Sequence, residues 1–169
     1  MRATPLTRSR TPVQIERQRD GTFRLTIAVL LVDTIEHVFG FVADVDNLES
    51  VVPPWLGLRL LTPRPIDMGV GTRIDYRLRI HRMPVHWESE VTAWEPPRRF
   101  VYEQRRGPFG HWAHEHTIVD HGARTVARDD VHYAVLGGRL AHKLFVRRDL
   151  ERLFLYRRAQ LIRIFGKRQ

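Results

Sequence analysis

The 169-residue chain contains no cysteine. Disulfide frameworks, thiolate zinc sites and cysteine nucleophiles are excluded, and the sequence fits a reducing compartment without requiring one. Long apolar runs are missing as well. The longest, "LTIAVLLV" (Leu25 to Val32), falls far short of the roughly 20 residues that a membrane-spanning helix needs. No charged-then-apolar leader with a cleavage site is visible, so a soluble cytoplasmic protein is expected. Lysine is scarce: Lys143 and Lys167 are the only two, and the formal net charge of +9 rests on arginine. These arginines are scattered, and no zinc-finger, homeodomain-like or RNA-binding aromatic motif accompanies them. A solvated basic surface is the expected reading, with no specific nucleic-acid partner.

What is present is patterned. Residues 1–20 have few large apolar side chains and no helical or strand period, and read as a loosely ordered basic arm ahead of one domain over residues 21–169. "TFRLTIAVLLVD" has the β-branched, apolar look of a buried strand. "DTIEHVFGFVAD" follows as a short amphipathic helix, with Asp33 or Thr34 as cap and Ile35, Val38, Phe39 and Val42 on one face. "DNLESVVPPW" reads as a second helical turn broken by Pro53 and Pro54. From Leu58 to about Val135 the period is two, in six strand-length segments divided by turn-forming stretches such as "RMP", "EPP" and "GPFG". From Arg139 to about Phe165 the period returns to 3.6, and Val146, Leu150, Leu153, Phe154 and Leu161 fall on one stripe.

This order predicts an α+β fold: a curved antiparallel sheet of about seven strands wrapped around a long C-terminal helix. Two short helices follow the first strand. The helix must hide its stripe and the sheet must hide one face, so each covers the other. A sheet this long twists and curls, and one helix does not fill its concavity. A cavity is the expected remainder. The order of elements, together with "DVDNLESVVPPW", "GTRIDYRLRI", "TAWEPPRRFVYEQ" and the closing "LFVRRDLERLFLYRR", resembles the START-like helix-grip (SRPBCC) superfamily over roughly residues 22–165, in its bacterial polyketide cyclase/dehydratase-like branch. The resemblance implies a small apolar or amphipathic ligand held between sheet and helix. It carries no universal catalytic motif.

Alternation assigns the faces. Val85, Trp87, Ser89, Val91 and Ala93 share the less polar face of their strand. Phe100, Tyr102 and Gln104 are placed inward on the next, because aromatic side chains gain most from burial. In "GHWAHEHTI", Trp112 and Ile118 carry His114 and His116 inward with them. Asp129, Val131 and Tyr133 line the last strand by the same argument. The expected ligand contacts are Trp55, Tyr76, Trp87, Phe100, Tyr102, Gln104, Phe109, Trp112, His114, His116, Asp129, Tyr133, Phe154 and Arg157. Such a wall, mostly apolar with a few orienting polar groups, is that of a small-molecule pocket. Arg157 sits in the middle of the helix stripe. It either snorkels to water, pairs with Asp129, or turns its guanidinium toward a ligand.

The histidine strand admits three chemistries. His-x-His on one strand face can hold zinc, since imidazoles two residues apart project in parallel. Asp129 is the one good inward third ligand, and His111 and Glu115 face the other way, so no metal or other cofactor is expected. The second is acid–base catalysis on a polyketide-like carbonyl compound, with His114, His116 and Arg157 as the catalytic candidates. The third, non-catalytic binding or transport, asks for the fewest coincidences and is preferred. A rival of another class uses Arg147, Arg148, Arg152, Arg158 and Arg163 on the outside of the long helix to press on anionic lipid or RNA. A homodimer is compatible with the sequence, which carries no signature for one.

Overall fold

Period-two burial runs through the molecule's sheet, and Phe23, Leu25, Ile27, Val29 and Leu31 show it most plainly, all buried on one face of one strand. The computed structural model describes residues 13–166. Along the chain come β1 (Gln14–Arg17), β2 (Phe23–Leu31), the helices α1 (Ile35–Ala43) and α2 (Leu48–Val51), and the short β3 (Arg59–Leu60). Five longer strands follow: β4 (Arg73–Ile80), β5 (Met83–Glu95), β6 (Arg99–Arg106), β7 (His111–Asp120) and β8 (Thr125–Ala134). A short helix α3 (Gly138–Ala141), a π turn (His142–Val146) and α4 (Arg147–Phe165) form the C-terminal helical segment. All neighbours in the sheet are antiparallel, in the order β1-β2-β8-β7-β6-β5-β4-β3.

The architecture is the expected helix-grip, with eight strands among the described residues where about seven were expected. The extra one is β1, which lies in the segment read as a loose arm and pairs Gln14 with Thr26 through to Arg17 with Phe23. Its sequence, "QIER", is polar and sits at the sheet edge. It contributes backbone hydrogen bonds, and on its inner face Ile15, with Val13 just before it, packs against the core, an alternation too short for hydrophobic periodicity to register. Residues 1–12 of that arm, and 167–169 of the domain, lie outside the described residues.

A second correction concerns β5. Its pairing with β6 shifts register between Val91 and Ala93. Such a bulge moves one residue out of phase. Trp94, not Ala93, therefore packs inward against Phe39 and Phe100, with ring centroids 5.5 and 5.9 Å apart. At this end the space between sheet and helix is filled. Phe39, Phe100, Ile118, Leu161 and Phe165 share one core cluster, and Val32 N–H donates to Phe165 O at 3.1 Å, tying the helix end to the sheet. At the other end a second cluster, built on Trp87, Trp112, Leu150 and Phe154, leaves room.

Helix α1 starts where its sequence says. Thr34 is the N-cap, its side chain accepting from His37 N–H at 3.3 Å, while Asp33 accepts from Thr34 N–H at 2.8 Å. Thr34→Ala is expected to cost about 1 kcal/mol, read as a drop of roughly 2–4 °C in thermal midpoint. An unchanged midpoint would show that Asp33 suffices as the cap.

The helix face that the rival reading would use is partly engaged and not of one sign. Arg152 lies over the Trp55 ring, 5.2 Å from its centroid. Arg158 is half-buried, and Arg163 is bonded to Gln160. At 100° per residue Glu151 falls among these arginines, between Arg158 and Arg148, so the face carries both signs.

Candidate functional site

The site begins with strand register. His116 on β7 lies directly opposite Asp129 on β8, and His114 lies opposite Val131, two positions along. Direct and diagonal cross-strand neighbours on one face are both within reach of long side chains. Asp129 Oδ1 accordingly meets His116 Nδ1 at 2.8 Å and His114 Nε2 at 3.0 Å. The helix supplies the fourth member. Leu150, Phe154, Arg157 and Leu161 are the buried stripe of α4, and Arg157 reaches across so that its Nε lies 3.4 Å from Asp129 Oδ2. Arg157 is 7% exposed, so it does not snorkel. Its Nε makes no hydrogen bond, and the contact with Asp129 is ionic.

Charge in this cluster is nearly closed. Burial favours a protonated Asp129, but Arg157 and the hydrogen bonds from His114 and His116 outweigh it and hold the carboxyl well below its ordinary range. Burial, reinforced by the neighbouring His114, pushes the His116 imidazole down to about 3 against the pull of Asp129. Asp129 is thus an acceptor only, and each imidazole turns an N–H toward it. In a neutral His114 the opposite nitrogen, Nδ1, is then a lone-pair acceptor. The three donor atoms of His114, His116 and Asp129 lie within 4.8 Å of one another, a spacing that suits a metal ion. Arg157 already balances Asp129, however. A divalent ion here would add two charges beside a buried guanidinium, which is costly. The arrangement suits a hydrogen-bonded ion pair better than a metal centre.

Beside this cluster opens a cavity of about 530 Å³, walled by the inner faces of β4, β5 and β7 and by the C-terminal helical segment. Trp87 and Trp112 meet edge to face at 5.4 Å and Phe109 tilts against Trp112 at 4.7 Å, forming an aromatic wall. Ser89 accepts from Trp87 Nε1 at 3.1 Å and bonds the Tyr76 hydroxyl at 3.1 Å, fixing both rings. His114 and Arg157 are the polar cluster's share of the lining. Exposed lining residues, Trp55, Arg82, Leu136 and Phe145 among them, mark the open rim.

Residues 34–154 match the family described as polyketide cyclase / dehydrase and lipid transport. The chain belongs to this family. It is the SRPBCC branch that the sequence resembles. Solved structures of similar fold include protein Ms6760 from Mycobacterium smegmatis, 18% identical over 90% of this chain and 97% of that one, TM-score 0.65. The Zhui aromatase/cyclase from Streptomyces sp. R1128 is 17% identical over 82% of this chain and 90% of its own, TM-score 0.64. Major latex-like protein 151 from Panax ginseng is 15% identical, covering 78% and 97%, TM-score 0.54. At these identities the likeness establishes the fold alone. No curated protein sequence matches the chain.

In this cyclase-family member the lining includes eight of the residues expected from the sequence: Trp55, Tyr76, Trp87, Phe109, Trp112, His114, Phe154 and Arg157. The other six stand outside it, each for a visible reason. Phe100 stacks on His116 at 4.3 Å within the filled end of the core, and Tyr102 packs edge-on against Phe100. His116 and Asp129 are not in the lining and reach the cavity wall through His114 and Arg157. Gln104 donates to Phe109 O at 2.8 Å and covers Gly107, where a Cβ would come within 2.2 Å of its Oε1. Its amide holds the β6–β7 turn. Tyr133 bonds His142 Nε2 at 2.9 Å. His142 itself, buried and stacked on Phe23 at 3.6 Å, escaped the sequence reading. Its place four residues before Val146 on the helix stripe was the available signal.

Proposed function

We propose that this family member binds a small hydrophobic or amphipathic molecule in the cavity between sheet and C-terminal helix. The observation that carries this is an aromatic-walled space of about 530 Å³, within the usual range for ligand pockets, with one polar cluster set into its wall. Asp129 and Arg157 cancel in charge and His116 is neutral, so these three groups bring no net charge to the polar end. It favours a carbonyl, phenol or alcohol oxygen over a carboxylate, whose charge would stand unbalanced. Native mass spectrometry of the purified protein should reveal a co-purified molecule. A bound ligand at about 100 times its Kd should add about 2.7 kcal/mol of stability, with little dependence on salt. Leu153→Trp, filling the cavity from its half-buried wall position, should weaken binding by about tenfold or more through lost volume. No co-purified mass, no thermal shift with any apolar oxygenated compound, and a silent L153W together would end this reading.

A second reading rests on His114 alone. Its Nε2–H is held by Asp129 and its ring lies in the cavity wall, so the other nitrogen can take a proton from a carbon beside a carbonyl while Arg157 steadies the oxyanion. Cyclisation or dehydration of a poly-β-ketone that His114→Gln abolishes, with binding retained, would make the protein an enzyme. Binding without turnover leaves the first reading standing.

A further inference from the structure

We infer that the rim of the cavity is a docking surface for an anionic lipid bilayer. This rests on the cavity reading, because the rim that meets lipid is the one an apolar cargo must cross. Leu136, Leu140, Leu144 and Phe145, together with Met83 on the β4–β5 turn, each keep more than half of their surface in water. Leu136 and Phe145 line the cavity mouth alongside His81 and Arg82. His81 joins the turn to the helix, its Nε2 lying 2.6 Å from Asp149 Oδ2 and its ring centroid 6.3 Å from that of Phe145. The two lips are therefore one surface.

The exposure is built in. His142 is pinned inward by Tyr133 and Phe23, and residues two positions to either side of an inward helical residue face away from it. Those residues are Leu140 and Leu144. Basic side chains accompany them: Arg79, Arg82, Arg139, Lys143, Arg147 and Arg148 are all exposed. Nearby acids are Asp149, engaged by His81, and Glu151, engaged by Arg147.

Charge chooses the occupant. A second copy would bring one +9 molecule against another, which like-charge repulsion opposes. RNA would satisfy the arginines and leave the leucines against water. An anionic bilayer satisfies both, with acyl chains for the apolar tips and headgroups for the cations.

The test is co-sedimentation with vesicles of phosphatidylcholine alone and of phosphatidylcholine mixed with phosphatidylglycerol. The wild-type chain should bind the mixed vesicles about tenfold more tightly or better, and lose part of that advantage in high salt. Leu140→Asp with Leu144→Asp should abolish binding to mixed vesicles at low and high salt alike. Met83→Asp, on the other lip, is an independent variant and should weaken it as well. Arg139→Glu with Lys143→Glu should remove the preference for phosphatidylglycerol. Thermal midpoints near wild type will show that these surface variants fold. Absence from mixed vesicles overturns the proposal. So does wild-type binding by the folded leucine variant, or a dimer that this variant splits when no vesicle is bound. Affinity for a cavity ligand, measured without vesicles, separates the two readings: its survival in the leucine variant supports the docking surface. Vesicle binding by a protein with no cavity ligand would sink the pocket reading alone.

Discussion

Replacing Arg157 by alanine will lower the unfolding free energy by about 3–5 kcal/mol, the usual consequence of stripping a buried charge of its partner. Asp129 would then keep its negative charge, or take up a proton, among groups that offer only two imidazole N–H donors. For a domain of this size the loss amounts to roughly 10 °C or more in thermal midpoint. The reason is desolvation. Both members of the pair are nearly shielded from water, at 8% and 11% side-chain exposure, so solvent cannot replace the missing partner. The double variant Arg157→Met with Asp129→Asn should recover much of the loss, since it removes both charges and keeps an acceptor for the histidines. If R157A melts within about 1 kcal/mol of wild type, the ion pair is not energetically coupled, and the charge balance proposed for the cavity's polar end loses its basis.

Acidification is the second large effect. The folded-state His116 is pushed down to about 3, against an ordinary 6.5. The folded protein therefore binds fewer protons than the unfolded chain between these values. His116's contribution is complete above about pH 6.5 and is lost progressively as pH falls toward 3. At pH 4.5, about two pH units below the ordinary value, the loss from this residue is on the order of 2–3 kcal/mol. His142, also shifted downward by burial, adds loss of the same sign. Asp129, held low in the folded state, contributes stability above 3.8 that goes as pH falls further. Urea unfolding across this pH range checks the slope. His116→Phe, which keeps a ring to stack on Phe100, should flatten it. A wild-type stability unchanged between pH 6.5 and 4.5 would mean that His116 does not sit neutral and buried.

The alternation of Trp112, His114, His116 and Ile118 was legible because a strand has only two faces, and two large apolar residues settle which one goes in. Arg157 was legible as an anomaly for a similar reason: a cation in an apolar stripe must find a partner. Asp129 was among its candidate partners, though only the β7–β8 register places it within reach of both histidines and the arginine. Gln104, Tyr133 and Phe100 point inward as their strands dictate, yet do not line the cavity of about 530 Å³. Facing inward says nothing about whether the space ahead is already filled. For Gln104 the neighbour is its own turn; for Tyr133 it is His142, nine residues on; for Phe100 it is α1 and the end of α4.

Period and composition along the chain were thus enough for the class of fold, the run of strands, the grip helix and the face on which the imidazoles sit. These features follow from local hydrophobic spacing, which acts over a few residues. Which inward groups line a hollow, which are spent on one another, and how the charges cancel emerged from the packing of elements far apart in the chain. A β-bulge, an edge strand and a helix that fills one end of a curled sheet but not the other set those outcomes, and none of them leaves a periodic trace in the sequence.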